Sequence, residues 1–193
     1  MKEKTLRKDL WESAGYAGLA LGLVSIVYMY INKAVGLYMY INKAVGLSGM
    51  STGMMMLAVM LPWIAKFIGC IILMKFFMKK FFASHPEATN KDTFKMGVAT
   101  ALLSAFFYSA IQFVDMVYIT PDLYAAQYET AIQQYSAAMD SNSRNMMKNF
   151  IEILPQFTFV WNLIYCFVYG TVLSAILSRN IPSQDPFADY KPE

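Results

Sequence analysis

The sequence predicts an all-α fold, a four-transmembrane-helix bundle with a short amphipathic helical segment between the third and fourth spans. Three observations carry that prediction. Apolar residues make up 57% of the chain and charged residues 15%, against roughly 45–50% and about 25% in soluble domains. Four apolar runs, at about 13–32, 54–74, 96–118 and 157–177, each approach the ~20 residues that a hydrocarbon core demands. Lysine and arginine concentrate on alternate connections between those runs. The chain, 1–193, reads as one integral membrane domain, with an extracytoplasmic segment 120–156 and a cytoplasmic tail 179–193.

The third run organises the others. At about 100° per residue, Gly97, Ala101, Ala105, Tyr108, Gln112 and Asp115 share one face, and Leu102, Leu103, Phe106, Ala110, Phe113 and Val117 share the opposite one. A small-and-polar stripe opposite a bulky apolar one predicts a helix with protein on one side and acyl chains on the other.

The first run follows Lys2, Lys4, Arg7, Lys8 and Trp11, a basic flank with an interfacial aromatic. No small-x-small cleavage site follows it, so it reads as a retained anchor. Ala14, Gly18 and Gly22 recur at four-residue spacing, a small-residue face that admits a neighbouring helix backbone. Packing within the chain is the simpler reading of that face, and self-association the alternative. Residues 28–37 and 38–47 both read YMYINKAVGL. Ten residues advance a helix by about 15 Å and turn it by about 1000°, leaving it roughly 80° short of three full turns. The second copy therefore cannot extend the first copy's packing face. It is expected in an enlarged first loop or an overlong helix end, with Lys33 and Lys43 at or beyond the membrane surface.

The second run contains Pro62 and Lys66 and ends in Lys75, Lys79 and Lys80. Asp92 or Thr93 is the expected cap of the third run. After it, Thr120-Pro121 is a helix-start signal, and Tyr124, Tyr128, Ile132, Tyr135 and Met139 form one aromatic stripe. That stripe suits the membrane surface, the mouth of the bundle, or a docked protein. Asp140 to Ser143 can cap a further short helix reaching Leu154, which Pro155 closes or kinks before the fourth run. The tail is too rich in proline and polar residues to pack as a helix. Outside the spans, eleven Lys and Arg lie on one side and four on the other (Lys33, Lys43, Arg144, Lys148). The positive-inside rule then puts both termini in the cytoplasm and residues 120–156 outside.

Candidate chemistry is confined to polar groups within the spans, because ionisable groups at membrane depth are costly unless paired or wetted. Gln112, Asp115 and Asn162 fall within about 5–9 Å of the outer surface at 1.5 Å per residue. Lys66 joins that layer, and can pair with Asp115, if the second span begins near Val59; otherwise it snorkels. The layer reads either as interhelical glue or as a pocket open to the outside for an ion or small solute. Lone His85 has no acidic or thiol cluster in sequence and is expected as a solvated loop side chain. Cys70 and Cys166, both in apolar runs, are expected as buried small hydrophobes. No GxSxG, HExxH, P-loop or CxxC occurs, so neither an enzyme nor any cofactor or metal site is expected. A net charge of +3, spread along the chain, gives no case for nucleic acid.

The Phe94-Lys95-Met96-Gly97 entry to the third run, the Tyr-Ile-Thr-Pro-Asp-Leu-Tyr exit at 118–124, the outer segment rich in Gln, Met and Asn, and the Pro-Phe tail together resemble the Bacteroidota four-helix inner-membrane family catalogued as domain of unknown function 4199. That resemblance covers nearly the whole chain and implies a bacterial inner membrane and four spans. The family carries no catalytic motif to transfer. The expected role is therefore that of an accessory, scaffold or assembly factor, with a small-solute or ion carrier as the alternative. The expected partners are membrane lipid, a membrane or periplasmic protein, or a second copy of the chain.

Overall fold

A long apolar segment in lipid can satisfy its backbone only as a helix or a closed barrel. This chain, with Gly and Pro thinly spread through its apolar runs, takes the helical solution. The computed structural model describes residues 2–44, 52–85, 88–135 and 140–181. Its elements are α1 (Lys2–Ala44), α2 (Thr52–Ser84), α3 (Asn90–Val114), a π-helical turn (Asp115–Ile119), α4 (Pro121–Tyr135) and α5 (Ser141–Arg179). Among the described residues there is no strand. Four stretches are long and apolar enough to cross a membrane, Leu6–Tyr38, Met56–Ser84, Asn90–Ile119 and Asn145–Arg179. The tail from 182 onward and Met139 lie outside the described residues.

Two helices run past the expected spans. α1 continues through the first decapeptide copy and the first seven residues of the second to Ala44, an overlong end rather than a loop, and residues 45–47 of that copy lie outside the described residues. α5 likewise absorbs the separate helix expected before Pro155, which lies inside it. Asp140 caps α5 as expected, accepting a bond from the Ser143 N–H at 2.8 Å. The cap of α3 is neither Asp92 nor Thr93 but Thr89. Its hydroxyl accepts from the Asp92 N–H at 3.3 Å while the Asp92 carboxylate accepts from the Thr89 N–H at 3.2 Å. Asp92 therefore holds the third position of a capping box.

Lipid tails are as apolar as leucine, so close approach rather than hydrophobic exclusion brings such helices together. α3 is the central strut, packed on α1 along one side and α5 along the other, while α2 leans mainly on α1. A Cβ placed on Gly18 would come within 2.8 Å of Leu103 Cβ and 3.2 Å of the Ser104 amide nitrogen. A Cβ on Gly170 would come within 2.5 Å of Ala101 Cβ. The small faces at Ala14, Gly18 and Gly22, and at Gly97, Ala101 and Ala105, are thus filled by this chain's own helices. Leu103, expected toward lipid, faces α1 because the glycine there leaves room for it; Leu102 and Phe106 stay exposed. The tightest core gathers Leu10, Ala14, Met74, Met78, Phe81, Met96 and Leu177 at the basic end of the bundle. Toward the other end α2 separates from α5, and the packing opens.

Candidate functional site

Among the described residues two lysines reach the interior, and the structure treats them differently. The first is Lys33 of α1, which forms an ion pair with Asp115 whose carboxylate is fully buried. Asp115 also accepts from the Tyr124 hydroxyl at 3.2 Å and lies 3.5 Å from that of Tyr30. Lys33 donates in addition to Thr120 Oγ1 at 2.7 Å and lies 4.8 Å from the centre of the Tyr124 ring. The geometry depends on the π-helical turn, where the Thr120 N–H bonds back five residues to the Asp115 carbonyl at 2.9 Å. The knot ties α1, the end of α3 and the start of α4 together. Burial, reinforced by the Asp115 carboxylate, pushes the Tyr124 phenol upward, so it stays a proton donor.

Lys66 does not pair with Asp115. It lies ten residues, about 15 Å, along α2 from Met56, near the middle of a ~30 Å hydrocarbon core. Its ammonium sits 4.8 Å from the Tyr28 ring centre and 5.0 Å from that of Tyr108. Among the described residues no carboxylate lies within ion-pair distance. Cation–π contacts supply about 0.5–2 kcal/mol each, so the two together are of the same order as the ~2.5–3.5 kcal/mol cost of a lysine at mid-membrane. What the rings do not supply is a counter-charge, which an anion would.

Around Lys66 lies a cavity of about 240 Å³ bounded by all four spanning helices. Ser25 and Tyr28 come from α1, Cys70 from α2, Ser104 and Tyr108 from α3, and Cys166 and Tyr169 from α5. Cys70, buried as expected, and Cys166, half-buried, both line it as free thiols. The Tyr169 hydroxyl is buried with no hydrogen-bond partner among the described residues. No group of three His, Cys, Asp or Glu side chains that could hold a metal ion occurs among the described residues. A single cation, hydroxyls and phenols inside an otherwise apolar wall can hold one anionic group.

The remaining expected positions separate. Gln112 and Asn162 do meet, through an Asn162 Nδ2 to Gln112 Oε1 bond of 2.9 Å between α3 and α5. The expected single layer is thus two units, Gln112 with Asn162 and Asp115 with Lys33, with Lys66 apart from both. His85 is not free in solvent: its ring nitrogens lie 3.3 Å from Asp9 Oδ2 and 3.0 Å from the Phe81 carbonyl oxygen. Of the aromatic stripe, Tyr124 turns inward to Asp115 and stacks on Tyr128, and Ile132 is half-buried. Tyr135 is the last residue of α4.

Sequence reasoning missed Lys33 as the partner of Asp115 because it placed the duplicated region at the surface. It missed the Tyr28 and Tyr108 cradle because rings from two helices far apart in sequence have no shared periodicity. The one available signal was Lys66 itself, a charge inside an apolar run with no acid at helical spacing.

No curated protein and no solved structure matches the chain. Residues 16–179 match the family described as protein of unknown function (DUF4199), and with most of its length so matched, the chain belongs to the DUF4199 family.

Proposed function

We propose that this chain is a binding protein of the bacterial inner membrane, with both termini cytoplasmic, that holds an anionic ligand on Lys66 within the membrane. One observation carries the reading: a mid-membrane ammonium with aromatic neighbours, a cavity beside it and no acid partner among the described residues. Ionisable groups at that depth face a pathway or a ligand unless something pairs them. The Lys and Arg asymmetry supports the orientation. Anion binding is the carrier side of the two expected roles. The accessory or scaffold role would use α4, and a mild-detergent pull-down that depends on residues 120–135 would favour it.

Trp63 lines the cavity and reports on it. In a Trp11→Phe, Trp161→Phe background, titration with acetate, inorganic phosphate and octanoate should give a saturable change in Trp63 emission for at least one probe. Replacing Lys66 by Met should abolish the change while helicity and elution volume stay the same. A response that survives Lys66→Met, or no response to any of the three, overturns the reading.

A further inference from the structure

We infer that the ligand is an anionic amphiphile taken from the bilayer, its head on Lys66 and its acyl chain in an adjoining groove on α5, entering sideways between α2 and α5. The inference rests on the anion-binding reading above and adds the source and shape of the ligand.

A cavity of about 240 Å³ falls below the ~300–1,000 Å³ of pockets that enclose a drug-sized ligand, which suits a headgroup and a few methylenes but not a long chain. Immediately beside it is a second hollow of about 300 Å³, formed by Trp161, Ile164, Tyr165, Val168 and Tyr169, with a wholly apolar wall. A charged cavity and an uncharged groove thus lie side by side, with Tyr165 and Tyr169 walling both. An amphiphile has the same division of polarity along its length; a free inorganic anion or a small polar solute would leave the groove unused.

The route of entry follows from helix packing. α3 closes on α1 at Gly18 and on α5 at Gly170, whereas α2 touches α5 over only a short stretch. Across that gap the Phe67 and Tyr169 rings stand 5.5 Å apart, centre to centre. Trp63, half exposed at 50%, stacks on Phe67 at the same opening. Two aromatic rings in contact across a sparse helix seam can part without breaking a hydrogen bond or an ion pair. The Tyr169 hydroxyl, buried and without a partner among the described residues, lies at the junction and supplies a donor to an arriving carboxylate or phosphate oxygen.

The test compares two probes with the same chain and different charge. In nanodiscs of neutral phosphatidylcholine, the Trp11→Phe protein retains Trp63 at the opening and Trp161 on the groove. Bromine on an acyl chain quenches tryptophan only on contact. Dibromostearate should quench at least about threefold more than its methyl ester at equal mole fraction. The excess should vanish in Lys66→Met, and a Val168→Phe change, read with Trp161→Phe alongside so that Trp63 is the sole emitter, should reduce the excess by filling the groove. Equal quenching by acid and ester overturns the amphiphile, while a Lys66-dependent response to acetate or phosphate leaves the anion site standing. Loss of every Lys66-dependent response removes both. Saturating acetate or inorganic phosphate that displaces dibromostearate completely at Trp161 would also overturn it, since a headgroup competitor alone should leave the chain's own affinity for the groove.

Discussion

Lys33 and Lys66 are both lysines of spanning helices that turn toward protein, yet one is enclosed by a counter-charge and the other by rings and empty space. Lys33 meets a buried carboxylate, a threonine hydroxyl and two tyrosines. Lys66 meets two tyrosine rings and a cavity. The difference teaches how a membrane protein can separate structural charge from functional charge. A paired ion fixes geometry, because separating it strands a charge in low dielectric. An unpaired one stores a demand that a ligand can meet.

The comparison is broken first at its paired member. Asp115→Leu or Lys33→Met alone should cost ~3–5 kcal/mol, the usual loss when one half of a buried pair is stranded. The double variant should recover much of that, as measured by thermal unfolding in detergent. If the double change is as damaging as the sum of the two, the pair is not the coupled unit described here. A smaller effect is expected at Asn162→Leu, which leaves the Gln112 amide unsatisfied and should cost ~0.6–1.7 kcal/mol, the measured range for interhelical bonds in bilayers.

At the unpaired member the same kind of change should hardly register in stability. Lys66→Met loses two cation–π contacts, worth ~0.5–2 kcal/mol each, but removes a charge costing ~2.5–3.5 kcal/mol at that depth. At the middle of both ranges the two nearly cancel, to within about 1 kcal/mol. A loss comparable to that of Lys33→Met would mean that Lys66 is structural too, and the contrast between the lysines would collapse.

The smallest effect concerns the duplication. Because residues 28–37 and 38–47 are identical, deleting either copy yields the same chain, with Tyr30 and Lys33 still at their distances from Val27. Insertion, expression and the Asp115 pair should all survive, read by an unchanged melting temperature. A marked drop would show that the far end of α1, about 15 Å beyond Lys33, contributes packing of its own.

Much of the architecture was legible before any coordinates, and for one reason: the bilayer imposes length and polarity on every spanning segment. The small stripe of α3 and the glycines of α1 announced close packing, and Gly18 against Leu103 and Gly170 against Ala101 supply it. The Asp115 layer was visible as polar residues at membrane depth. Its partner was not, because an 82-residue separation between Lys33 and Asp115 leaves no periodic trace. The cap at Thr89 was missed by a few residues because Thr89, Asp92 and Thr93 are all plausible caps until one of them closes the reciprocal bonds.

What the sequence by itself determined is the class: four helices long enough to span, and the small-residue seams by which they approach. Those follow from local composition and a fixed helical period. The tertiary structure alone decided which lysine is neutralised. Charge pairing depends on where two helices cross and how far each is rotated, and the widened turn at Asp115–Ile119 tips that choice to Lys33, leaving Lys66 beside a cavity bounded by all four spanning helices.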